Sequence, residues 1–398
     1  MTTLTRSTVF PKMRNIEHLV KLYFGIGFTN KEILSLLAHQ HQIIISIRTL
    51  KRLCKRLCLY RRKNQTDPEE IASFVEEELS GSGRLQGYRW LHLRAIQRGI
   101  VVSQNTMRMI IKILDPEGVE LRRARRLRRR QYISRGPNAL WHMDSYDKLK
   151  PFGIAINGCI DGFSRHIMWM EAYYTNSDPK VIADYFINTV NRIGGCPQQV
   201  RADPGTENGH VREMQMFLRR NHQDSYAGEG SFIYGCSTAN QRIESWWGVL
   251  RKQSVQFWMD IFKTMRDDGY FTGSFLDRNL IQFCFLNLIQ DELDKAVRTW
   301  NSHLIRTRPA HGTPGGRPIL MFSMPQLYAA EDKLQPVLEE DMAVCREECT
   351  PKGQYPCDET VFELCILLMD ENGWEAPTDA YAAAELYSLL RNEILGNL

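Results

Sequence analysis

The sequence predicts a mixed α/β core, its sheet flanked by helices, with small all-α units in front and a helical, acidic region behind. Three observations predict it. Residues 15–114 place apolar positions at helical spacing between capping residues and glycines. After Pro137 the texture changes to three strand-like runs, ALWHMDSYDK, GIAINGCID and RHIMWMEAY, and then to helices around one more short strand. Charge is also uneven: the formal net charge is only +5. Residues 1–136 carry about 16 net positive charges and residues 321–398 about 12 net negative ones.

The bulk numbers set bounds. At 398 residues there is room for two or three domains. A composition of 43% hydrophobic and 24% charged residues is that of a globular protein. No run approaches the roughly 18 apolar residues of a membrane helix, so no membrane partner is expected. The start, MTTLTRSTVFPKMRN, lacks the apolar core of an export signal. Ten cysteines without an extracellular spacing suggest reduced thiols in a cytosolic or nuclear protein. His39, His41, Cys54 and Cys58 come nearest to a metal pattern, but they fit no common zinc frame. Buried thiols and no zinc are the expectation.

Residues 10–64 read as one three-helix unit. IEHLVKLYFGIG ends at a glycine, and TNKEILSLLAHQHQ carries a capping box from Thr29 to Glu32. SIRTLKRLCKRLCLYRRK follows, with Arg48, Lys51, Arg52, Lys55 and Arg56 on its polar side. Helix, helix, turn and basic helix is the order of a helix-turn-helix DNA reader. Residues 66–120 read as a second, similar unit. There a helix begins after Thr66, Gly99 stops a later one, and Ser103 caps the helix 104–114, which bears Arg108 and Lys112.

A linker, 121–136, contains LRRARRLRRR. Its Arg122, Arg123, Arg125, Arg126, Arg128, Arg129 and Arg130 suit phosphate tracking and equally a nuclear localisation signal. Nuclear localisation is therefore expected.

In the core, 137–310, turns are expected near Pro151-Phe152-Gly153 and Gly162-Phe163-Ser164. DPKVIADYFINTVNRIG is a helix, QQVRAD a short strand, 209–221 a helix and 222–237 a loop rich in glycine and serine. The helix of TANQRIESWWGVLRK follows, then a helix over 276–302 and a Pro- and Gly-rich loop. In the acidic region, 320–398, ETVFELCILLMDE and DAYAAAELYSLLRNEIL are helices.

Three acids stand out. Asp144 lies inside an apolar strand, where a carboxylate is costly without a task. Asp203 ends the short strand before a PGTENG turn. At 100° per residue, Ile243, Trp246, Trp247, Leu250 and Phe257 form one apolar face, making the tryptophans core anchors. Glu244 falls at the rim of that face with Asn240 and Arg251. Three acids from separate segments, converging on one strand end, repel each other unless cations bind them. Oxygen-only ligands suit hard cations such as Mg²⁺. Two such ions about 4 Å apart can drive an in-line phosphoryl displacement.

WHMDSYDK, INGCIDGFSRHIMW, RADPGTENG and STANQRIESWWGVLRK resemble the signature blocks of the retroviral-type integrase and transposase core, which has a ribonuclease H-like fold. The resemblance places that family's Asp, Asp, Glu triad on Asp144, Asp203 and Glu244, holding two Mg²⁺ or Mn²⁺ ions. It puts DNA-contacting residues at Asn240 and at Arg251 and Lys252. It implies double-stranded DNA as partner (element ends and target) and a homo-oligomer on that DNA. Asp161-Gly-Phe-Ser-Arg165 resembles the family's turn between its second and third strands, and TWNSHLIRTRPAHGTP resembles its downstream Tyr-Asn-x-x-Arg-Pro-His stretch. Residues 70–114 are similar to the second helix-turn-helix of insertion-sequence transposases.

The chain departs from the pattern in places. The interval between Asp203 and Glu244 holds 40 residues, longer than in many members, and Gln241 stands where glycine is usual. No zinc-binding N-terminal domain is evident, and the acidic C-terminal region resembles no integrase DNA-binding domain. The implied function is metal-dependent DNA end cleavage and strand transfer. The rivals are a catalytically silent, domesticated DNA-binding regulatory protein and a structure-directed nuclease.

Overall fold

The computed structural model describes residues 9–397 apart from 82, 84–85, 124–133, 236–238 and 308–313. The chain divides into two compact units, residues 1–130 with 302–306, and residues 131–301 with 307–398.

The first unit is helical. α1 (Val9–Gly25), α2 (Asn30–His41) and α3 (Ile47–Arg56) form one group. The expected capping box is present, with Thr29 Oγ1 accepting from the Glu32 amide and Glu32 reaching back to the Thr29 amide. Ser46 caps α3, its side chain accepting from the Thr49 amide. Leu50, Leu53 and Cys54 point inward from α3, while Arg48, Lys51, Arg52 and Lys55 are exposed. Cys58 corrects the buried-thiol expectation. α3 ends at Arg56, and Cys58 lies exposed beyond it with φ 55°. α4 (Pro68–Ser80), α5 (Tyr88–Gln97) and α6 (Gln104–Leu114) form the second group, with α7 (Pro116–Arg123) after them. Ile71, Phe74, Val75, Leu91, Met107 and Ile111 are among its core residues. Gly99 takes the left-handed conformation that stops α5, and Ser103 caps α6.

The second unit is built on a five-stranded sheet in the order β3-β2-β1-β4-β5. β1 (Trp141–Tyr146), β2 (Ala155–Asp161) and β3 (Ile167–Tyr173) form an antiparallel meander, as expected. After α8 (Pro179–Ile193), β4 (Val200–Ala202) pairs parallel to β1. α9 (Gly209–Leu218) then leads to β5 (Phe232–Tyr234), which pairs parallel to β4. β5 corrects the expectation of a plain loop over 222–237. Only three residues pair, too few to show alternation among the glycines. One face of the sheet packs on α8 and α9 through Trp141, Met143, Ile182 and Phe186. The other carries α10 (Gln241–Leu250), α11 (Gln256–Asp267) and α12 (Phe275–Ser302).

Between α10 and α11 the chain makes a π-helical turn, Arg251–Val255. The extra residue per turn shifts the phase, so Trp258 is buried and Phe257 only partly so. That corrects the single uninterrupted face expected through Phe257.

Beyond the core come α13 (Pro318–Ser323), α14 (Glu339–Glu347), α15 (Glu359–Asn372) and α16 (Ala380–Gly396). The acidic region is not a separate packing unit. Val361, Cys365, Leu386, Tyr387 and Leu390 join the same cluster as α10–α12, while Met342 and Cys345 join the α8 side. Arg391 donates to Asp277, whose carboxylate is 1% exposed. Leu390→Ala should cost about 2–5 kcal/mol and shift one cooperative urea transition of the whole unit. A separate early transition for the C-terminal helices would contradict this packing.

Candidate active site

His142, Asp144 and Tyr146 alternate onto the sheet face that α10 covers, and Arg201 and Asp203 do so from β4 and its end. α10 lies across this face because Ile243, Trp246, Trp247 and Leu250 are all buried there. The Trp247 indole Nε1 donates to Asp144 Oδ2 at 2.7 Å, and its ring packs on Tyr146 with centroids 5.1 Å apart. Gly158, which pairs with Asp144 from β2, makes room for this ring. A Cβ there would lie 3.0 Å from Trp247 Cη2 and 2.5 Å from Met170 Cε.

Asn240 precedes α10 but caps nothing. It is fully buried, its Nδ2 donating to the Met143 carbonyl at 2.8 Å while its Oδ1 faces His142 Nδ1 at 2.8 Å. With the amide oriented this way, the imidazole donates from Nδ1. Burial pushes His142 down to about 3, so the ring is neutral. Asn240 thereby ties the start of the Glu244 helix to the strand that carries Asp144. Arg201 adds a second tie, its Nη1 donating to the Ala239 carbonyl at 3.2 Å.

The acids influence one another. Burial pushes Asp144 up to about 7 against the Trp247 bond, and the charges of Glu244 and Asp203 push in the same direction. Asp203 is raised by burial and by Glu207, and Glu244 by burial and by Asp203. Among the described residues, no three His, Cys, Asp or Glu side chains enclose an ion as they stand. The donor set nevertheless fits a hard cation. Asp203 Oδ1 is buried without a hydrogen-bond partner, and the three carboxylates are held in partly desolvated mutual repulsion. Asn208 Nδ2 fixes the turn after Asp203 by donating to its carbonyl at 3.0 Å.

Asp161 belongs elsewhere. Fully buried, it accepts from the Asn138 and Ser164 amides and the Ser164 hydroxyl, closing the turn before β3. Asn301, in the downstream motif, bonds the Ile167 amide, and Trp300 bonds the Arg165 carbonyl. Those motif residues brace the same turn. Arg251 and Lys252 lie exposed in the π-helical turn just after α10. Arg108 and Lys112 are exposed on α6. Arg122 and Arg123 end α7, with nothing described of their side chains, and Arg125, Arg126, Arg128, Arg129 and Arg130 lie outside the described residues. Sequence reasoning missed Trp247 as a donor, His142, Arg201 and Gly158. A glycine inside an apolar strand was the available signal for the last.

A mixed sheet of this order, with acids on the central strand, on its neighbour and on the covering helix, defines a ribonuclease H-like core. Residues 131–318 match the family model of the integrase core domain. This segment is an integrase core of the retroviral integrase and transposase type, a polynucleotidyl transferase-like family that uses divalent metals. No curated protein matches the chain. Among the described residues no helix is long and apolar enough to cross a membrane.

Three outcomes follow from this geometry. Folding holds the three acids above their unfolded values, so it favours their protonated forms. That stability is complete below about pH 4 and is lost as pH rises toward the folded value of Asp144, near 7. Asp144→Asn should therefore raise the metal-free Tm at pH 8, by about 2–4 °C for each 1 kcal/mol of relieved repulsion. Mn²⁺ should stabilise the wild type at pH 8 more than at pH 5, and Asp144→Asn less than the wild type. Differential scanning fluorimetry reads both, and a pH-independent Mn²⁺ effect would contradict a carboxylate site. Gly158→Ala should cost about 1–3 kcal/mol and alter tryptophan fluorescence, because the added methyl meets Trp247 and Met170.

Proposed function

We propose that the protein is a metal-dependent DNA-strand-transfer enzyme that cuts a DNA end and joins it to target DNA. The observation that carries this reading is the mutual electrostatic reach of Asp144, Asp203 and Glu244 on one sheet face of an integrase core. Asp144, Asp203 and Glu244 would hold the ions. When bound, two Mg²⁺ or Mn²⁺ ions supply Lewis-acid activation of the attacking oxygen and charge neutralisation at the leaving one.

The rest falls to the chain. Trp247 fixes the Asp144 carboxylate by one oxygen. Asn240 and Arg201 hold the first turn of α10, and with it Glu244, against β1 and β4. Arg251 and Lys252, exposed in the turn just after α10, would contact DNA phosphates. In the first unit, α2–α3 and α5–α6 act as helix-turn-helix readers, presenting Arg48, Lys51, Arg52, Lys55, Arg108 and Lys112 to duplex DNA. Joining two ends requires both to be held, so the working form is a homo-oligomer on DNA. The arginine run directs it to the nucleus.

The test is a strand-transfer assay with Mn²⁺ and labelled candidate-end duplexes taken from the DNA flanking the gene. Joined products should form with wild type and fall by at least about 10³-fold in Asp144→Asn and Glu244→Gln. Cleavage without joining would make the protein a nuclease. Shifted duplex with no cleavage in any variant would make it a silent DNA-binding regulator and overturn the catalytic reading.

A further inference from the structure

The segment between the two helical groups of the first unit is not a loose tether. After α3 the Leu59 amide bonds back to the Cys54 carbonyl at 2.9 Å. Arg61 then lies 3.6 Å over the Phe24 ring and donates to the Phe28 carbonyl at 2.7 Å. At the far end, the Thr66 amide donates to the Val101 carbonyl at 3.0 Å, and the Val101 amide donates to Thr66 Oγ1 at 2.9 Å. Only residues 62–65 lie between these anchors. One end is thus fixed to α1–α3, and the other to the turn that leads into α6.

The groups also touch directly. Gly27, at φ +91°, approaches α5 so closely that a Cβ would lie 2.7 Å from Leu93 Cδ1. Leu93 is 7% exposed and Phe28 fully buried. A cleft of about 690 Å³ separates the groups elsewhere, walled by the end of α1, residues 58–62 and residues 99–105. Its cations include Lys21, Arg61 and Arg62, of which Lys21 and Arg62 are exposed. The same cleft therefore borders the chain just after α3 and the start of α6, the two basic helices.

We propose that α3 and α6 form one rigid reading head for duplex DNA, whose recognised site is two half-sites at a single fixed spacing, with the backbone between them seated on Lys21 and Arg62. This rests on the DNA-binding reading above. Two readers on a flexible linker would tolerate variable spacing, because lengthening a flexible connection costs little. Here a change of spacing must break the Gly27–Leu93 contact or the Arg61 clamp. Phosphate contacts in the cleft position the duplex without reading sequence.

The test is selection of the full-length protein against a random-sequence duplex library. Wild type should enrich two half-sites at one invariant gap, and a 2-base-pair insertion in that gap should weaken binding by about tenfold or more. Gly27→Leu, which wedges the groups apart, should bring that penalty below about threefold while each half-site is still enriched. Arg61→Ala should do the same should the leucine variant fail to fold. Lys21→Ala with Arg62→Ala should weaken all sequences alike and reduce the salt slope by about 2. Variable gaps or a single half-site with wild type would overturn the fixed head while leaving DNA binding intact. No enrichment and no duplex binding would overturn the DNA-binding reading itself.

Discussion

The bond from the Trp247 indole to the Asp144 carboxylate is the constraint on which the second unit's chemistry depends. A helix lies across a sheet wherever its apolar stripe is covered, and Ile243, Trp246 and Leu250 would secure that alone. They would not fix where along β1 it rests. The indole fixes this point, because a buried N–H and a partly buried carboxylate satisfy each other only at one position. Gly158 leaves the space, and Asn240 pins the helix start to the next carbonyl on β1. Glu244 lies one turn beyond Asn240, so its position relative to Asp144 is set by both ties.

The same arrangement stores unfavourable energy. Burial raises all three acids, and repulsion adds to it: Glu244 and Asp203 act on Asp144, Asp203 on Glu244, and Glu207 on Asp203. A carboxylate with one oxygen bonded and another acid nearby is poorly solvated without being neutralised. Binding a cation converts that repulsion into attraction, so affinity for the ion and instability in its absence have one cause. His142 shows the contrary choice. It stays neutral, uses its ring to hold Asn240, and adds no charge to the site.

Much of this was legible in the sequence, for identifiable reasons. Caps and glycines at Thr29, Ser103 and Gly99 are local signals, and the structure has them where the residues predict. The meander and the rim position of Glu244 followed from periodicity. The bonds of Asn240 to Met143 and His142 left no trace in the helical phase, because a residue ahead of a helix is not bound by it. β5 was invisible because three residues in a glycine-containing loop gain strand structure only from β4. The π-helical turn at 251–255 leaves no periodic trace until Trp258 takes the buried place expected of Phe257.

The acidic C-terminal region looked like a separate element because composition was read without regard to faces. Its helices put Val361, Cys365, Tyr387 and Leu390 into the core of α10–α12, and leave Glu359, Glu363, Glu371 and Glu385 outside. The region is thus a cover for the helical layer behind the site, with negative charge on its outer side. That outer surface presents unfavourable potential to a polyanion.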